Sequence, residues 1–125
     1  MTLTLVLKLA SILEIVTGLL LMICPVCVAQ LLLNSGLTEA SLALGRITGI
    51  GLFSLGIACW PNGTDPAIWP ILTYNALITA YLIYIGVEGQ WVGILLWPAA
   101  ILHAILTLFL SIYTFTRRSQ NAHNS

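Results

Sequence analysis

The stretch LTLVLKLASILEIVTGLLLMIC, residues 3–24, decides the fold. It runs 22 residues with only Lys8 and Glu14 charged, and Pro25 follows it at once. A bilayer core of about 30 Å is crossed by roughly 20 apolar residues rising about 1.5 Å each. The stretch is long enough to span, and Pro25 ends it by removing a donor from the helical ladder. As a secretory leader it fits badly. Lys8 lies inside the apolar run rather than ahead of it, and the run exceeds the roughly 7–15 residues of a leader's core. Cleavage near Ala29 is the alternative, but three further spans favour a retained first helix.

Those spans follow outward from the first. The second covers about 41–60 and stops at the turn signal Trp60-Pro61-Asn62-Gly63. The third covers about 67–87, opening near Pro66 to Pro70, where proline suits a first turn, and closing around Gly86 to Gly89. The fourth covers about 90–116 and meets Arg117 and Arg118; Pro98 inside it should bend it. Between the first two spans, Val26 to Leu33 is too short to cross and reads as an interfacial helix before the turn Asn34-Ser35-Gly36. Thr38 and Ser41 are the candidate N-caps of the second span. The expected architecture is an all-α integral membrane four-helix bundle, one domain over residues 1–118, with a frayed polar tail over 119–125.

Composition agrees and excludes other classes. Of 125 residues, 59% are hydrophobic and 6% charged, against about 25% charged in soluble domains. Mean hydropathy is +1.03. Net charge is zero with no basic stripe, which argues against a nucleic-acid partner. No glycine-rich phosphate loop or nucleophile triad occurs. Secondary transporters usually carry more helices, in repeats with broken segments. Lys8, Arg117 and Arg118 fall at the ends that an even number of spans puts on one side, so both termini are expected in the cytoplasm. Trp60 and Trp69 then join the inner aromatic belt and Trp91 the outer one. Asn62-Gly63-Thr64 matches a glycosylation sequon, but this topology sets it on a tight cytoplasmic loop.

Depth counting singles out a polar cluster. From the cytoplasmic end, at about 1.5 Å per residue, Glu14 lies roughly 16 Å in, His103 roughly 18 Å and Arg46 roughly 21 Å. Tyr81 falls near that level, with Asn75 a turn or two lower. An isolated charge there costs at least about 2.5–3.5 kcal/mol, so a Glu14–Arg46 ion pair with His103 bonded to one member is expected. Such a pair could fix helix register alone, or line a ligand or proton-handling pocket. Imidazole is also a common haem ligand, although His103 has no second histidine within the spans. Ser41, Gly45, Gly49 and Gly56 form a small-residue stripe for close helix packing, within the bundle or against a partner.

Cys24-Pro25-Val26-Cys27 has CxxC spacing, and Cys59 stands apart. Its place at the outer end of the first span resembles that of quinone-linked membrane disulfide oxidases and vitamin K epoxide reductases. That resemblance implies thiol–disulfide exchange coupled to a quinone. Those families use a second cysteine pair on the same face, and this chain lacks one. Two thiolates without a nearby His or Asp make a poor zinc site, and cysteine also serves as small apolar filler.

The segments Gly45-Arg46-Ile47-Thr48-Gly49-Ile50-Gly51, Gly56-Ile57-Ala58-Cys59-Trp60, Tyr74-Asn75-Ala76-Leu77 and Leu96-Trp97-Pro98-Ala99-Ala100, with His103, carry a broader resemblance. Over most of its length the chain resembles small bacterial four-helix membrane proteins of the DoxX kind. That resemblance implies a four-helix fold in a bacterial inner membrane and brings no reaction with it. In that pattern apolar residues around a proline usually stand where this chain has CPVC. The functional expectation is a membrane protein without catalytic activity, an accessory subunit of a larger membrane complex or a binder of a lipophilic molecule. The alternative is a thiol–disulfide oxidoreductase working through Cys24 and Cys27 with a quinone.

Overall fold

Thr2 starts the first helix: its hydroxyl accepts from the Leu5 amide at 3.4 Å, the N-cap bond that satisfies one of the free first-turn donors. The computed structural model describes residues 2–62 and 67–123, with side chains through residue 116. Gly63 and Thr64 of the sequon, Pro66, and the side chains of Arg117 and Arg118 lie outside the described residues. Helix α1 spans Leu3–Ile23, α2 Pro25–Leu33, α3 Glu39–Ala58, α4 Ile68–Glu88 and α5 Leu96–His123. No strand occurs among the described residues. α1, α3, α4 and the Leu96–Thr116 part of α5 are each long and apolar enough to cross a membrane. Their outward faces carry Leu20, Leu44, Ile47, Ile50, Val87 and Leu108, all exposed. An apolar exterior on this scale suits lipid rather than water. The chain is an all-helical, multi-pass membrane protein of four-helix-bundle type.

Each boundary has a local cause. Pro25 opens α2 at the position where a missing amide proton costs nothing. Asn34 closes it in the left-handed region at φ 49°, its amide bonded to Gln30 O at 3.1 Å. Thr38 caps α3 by accepting from the Ser41 amide at 3.3 Å, and Glu39 adds a favourable first-turn charge. Of the two candidate caps, Thr38 therefore does the capping and Ser41 receives it. Gly89, at φ 74°, ends α4 with its amide on Ile85 O. Thr48, Ser54, Thr107 and Thr114 return their hydroxyl protons to the carbonyl four residues back, which hides polar atoms from an apolar surround.

Three expectations need correcting. The fourth span does not begin at Gln90, because residues 89–95 form an irregular connection and α5 starts at Leu96. Its amides are taken elsewhere: Gly93 N donates to Leu32 O and Leu95 N to Leu31 O, both at 2.9 Å. Those carbonyls sit in the last turn of α2, which has no intrahelical donor for them. A side chain at Gly93 would run into the Leu31 carbonyl. Pro98 thus falls in the first turn of α5, where it breaks no interior bond, and gives no cause for a bend there. At the other end, the helix continues through Ser119 to His123 instead of fraying after Arg118.

The helices assemble as two close pairs. α1 packs mainly on α3, and α4 mainly on α5, with sparse contact between the pairs. Glycine sets the first approach: a Cβ at Gly49 would lie 2.7 Å from Gly18 O, and one at Gly56 2.7 Å from Ser11 O. Gly45 faces Pro25 of α2 instead. Every glycine of the stripe therefore meets a neighbour within the chain. In the second pair, Gly86 leaves room for the Trp97 ring. At the end where α1 stops, α2 lies over both pairs and touches α1, α3 and α5.

Candidate functional site

Sparse packing between the pairs leaves a cavity of about 550 Å³. All five helices contribute to its wall. Leu20, Leu21, Val28, Leu32 and Leu82 make its upper part, near α2, almost wholly apolar. At the deep end stand Leu13, Leu52, Tyr74 and His103, and Thr17, Ser41 and Thr48 add hydroxyls along the rest of the wall. This combination of an apolar wall with a few convergent polar atoms is the usual make-up of a small-molecule site, and the volume is in the usual range.

The polar end is a chain of buried side chains from α1, α4 and α5. His103 is 9% exposed, Asn75 0%, Glu14 1% and Ser11 0%. His103 Nδ1 lies 2.8 Å from Asn75 Oδ1, and Asn75 Nδ2 donates to Ile71 O at 2.8 Å. Tyr74 meets the His103 ring edge-on, with centroids 6.1 Å apart and planes at 77°. Behind the cavity, Tyr74 is hydrogen-bonded to the Glu14 carboxyl. Glu14 Oε1 and Ser11 Oγ are buried without a hydrogen-bond partner. Three residues apart on α1, they share one face of that helix. Tyr74 is thus common to both parts, lining the cavity and engaging Glu14.

Of the residues expected at this depth, the structure brings together Glu14, Asn75 and His103. It leaves out Arg46 and Tyr81. Arg46 is exposed on α3, beside Leu44 and Ile47, and no Glu14–Arg46 pair forms. The inner face of α3 is given to Gly49, Leu52 and Gly56, and Arg46 is turned away from it. Seven residues after Glu39, it sits only about 10 Å from the helix end, close enough for its long side chain to reach the headgroup region. Tyr81 is 57% exposed and stacks on Tyr84, whose hydroxyl donates to Glu88 Oε1 at 2.8 Å. Two members of the site, Tyr74 and Ser11, were missed by depth counting. The signals were present: Tyr74 adjoins Asn75, and Ser11 precedes Glu14 by three residues on the same helical face.

Cys24 and Cys27 are joined by a disulfide across the α1–α2 corner, with Cα atoms 5.4 Å apart. Pro25, between them, lines the cavity. Cys59 is free and buried at the far end of α3, where its thiol meets the Ile71 backbone. Among the described residues, no three His, Cys, Asp or Glu side chains gather as a metal site. Comparison with family models, curated proteins and solved structures finds no match to this chain.

Proposed function

We propose that, of the two non-catalytic roles, accessory subunit of a larger membrane complex or binder of a lipophilic molecule, this protein has the second and holds its ligand between the two helix pairs. The supporting observation is the 550 Å³ cavity, mostly apolar with Tyr74 and His103 at one end. Both termini face the cytoplasm in this reading, on the strength of Lys8, Arg117 and Arg118. The Cys24–Cys27 disulfide supports the same orientation, because disulfides persist on the oxidising side of a bacterial inner membrane, opposite the cytoplasm. The bacterial inner membrane is the setting that the DoxX-like resemblance implies.

Extraction of the protein with its surrounding lipid, followed by mass spectrometry of bound small molecules, tests the reading. Wild type should retain a lipophilic compound in near-stoichiometric amount. Ala99→Phe, which places a ring in the cavity, should lose it while keeping the fold. Equal retention by both proteins would mean that the compound sits elsewhere.

A second reading is favoured by one observation, the disulfide whose Pro25 borders the cavity. In it, the two thiols of reduced Cys24 and Cys27 would pass two electrons and two protons to a quinone, giving disulfide and quinol. Cys59, at the opposite end of α3, offers no relay for those electrons. A soluble quinone that reoxidises the dithiol no faster in this protein than in a denatured sample would remove this reading.

A further inference from the structure

The hydrogen bonds at the deep end of the cavity fix which atom His103 offers to an occupant. Ile71 O is a carbonyl and can only accept, so the Asn75 group facing it is the amide nitrogen, at 2.8 Å. The other side of that amide, Oδ1, therefore faces His103 Nδ1 at 2.8 Å. An amide oxygen can only accept, so Nδ1 carries the proton. In neutral imidazole one nitrogen donates and the other accepts, which leaves Nε2 as a bare acceptor. No described residue is hydrogen-bonded to Nε2, and His103 lines the cavity. Of the other hydroxyls on the wall, Tyr74 is engaged with Glu14, Thr48 donates to Leu44 O and Ser41 bonds Thr38, which leaves that of Thr17.

We propose that the cavity selects an amphiphile whose polar end is a hydrogen-bond donor, an alcohol or a phenol, which donates to His103 Nε2 while its hydrocarbon part extends toward α2. The inference rests on the reading of the cavity as a ligand site. It adds a chemical rule: a hydroxyl is preferred over a ketone, ether or ester of the same shape, because those end groups bring only acceptors to an acceptor.

A long-chain para-alkylphenol and its O-methyl ether differ at that one proton. Their equilibrium binding to the protein in nanodiscs, corrected for partition into empty nanodiscs, reads the preference. The phenol should bind about fivefold more tightly than the ether, the value of one net hydrogen bond of about 1 kcal/mol. His103→Phe should bring the two within twofold while the ether's affinity holds. Equal binding of the two probes to wild type would overturn the donor rule and leave the ligand cavity standing. Saturable binding of neither would remove the cavity reading together with the rule. The tautomer can be read on unmutated His103, independently of how the Phe variant folds. With His123→Ala removing the other imidazole, the ¹⁵N shifts should show a protonated Nδ1 and a bare Nε2. The opposite tautomer would overturn the proposal.

Discussion

Glu14 and Arg46 stand in opposite surroundings, the first sealed behind Tyr74 and the second on the outer face of α3. Arg46→Met should therefore change melting temperature little, and a double-mutant cycle with Glu14→Gln should show no interaction energy. Asn75 and His103 should behave differently. Asn75→Leu strands a buried Nδ1 proton, at a cost of about 1–3 kcal/mol, whereas the double change Asn75→Leu with His103→Phe removes both partners and should recover much of it. Thermal unfolding in detergent measures both cycles, and a coupled Glu14–Arg46 pair would contradict the structure. The contrast shows what the residues alone could tell. Distance along a helix grows linearly with residue number, so depth counting found Glu14, Asn75 and His103. Rotation about the axis is a separate coordinate, and Arg46 and Tyr81 share the depth without sharing the face. Gly49 and Gly56 already marked the inner face of α3, so the position of Arg46 could have been read from them. Tyr74 escaped because a tyrosine in an apolar span reads first as a ring and only second as a hydroxyl.

Helix ends follow local chemistry, and the sequence signals for them are local too. Pro25, Thr38 and Gly89 each act within a turn of their own position, and the boundaries they mark fall within a residue or two of those expected. The start of α5 could not be found this way, because the amides of Gly93 and Leu95 bond to carbonyls some 60 residues earlier in the chain. Packing of α3 on α1 rests on a similarly narrow tolerance. Gly49→Ile would drive a β-branched side chain into the Gly18 carbonyl and the Met22 amide, which lie 2.7 and 2.9 Å from its Cβ. Overpacking of this kind costs typically about 1–3 kcal/mol, and here backbone rather than a yielding side chain opposes it. Ile47→Leu, on the exposed side of the same helix, should be close to neutral. Equal melting of the two variants would show that α1 and α3 are not held at this distance.

At the scale of the whole molecule, the expected topology has a direct test. Reporter fusions at the N- and C-termini should give the same, cytoplasmic, answer, and opposite answers would rule out four crossings. The number of crossings was legible from apolar run lengths alone. Their arrangement in pairs was not, since every span is similarly apolar and run length says nothing about which neighbour each will choose. That arrangement also sets the order of events during synthesis. α1 and α3 meet through Gly18, Gly49 and Gly56, and need nothing from later in the chain to do so. Tyr74, by contrast, belongs to α4, whose last residue follows Ala58 by 30 residues, which at about 5–20 residues per second take roughly 1.5–6 s to appear. For that interval the nascent first pair carries Ser11 and Glu14 with no cover from α4. A released chain ending at Ala58 would leave that polar face open to the membrane, a mark by which membrane proteases could tell unfinished chains from finished ones. The half-life of a chain ending at Ala58, set against the same chain with Glu14→Leu, would measure how much of its turnover that one carboxyl directs.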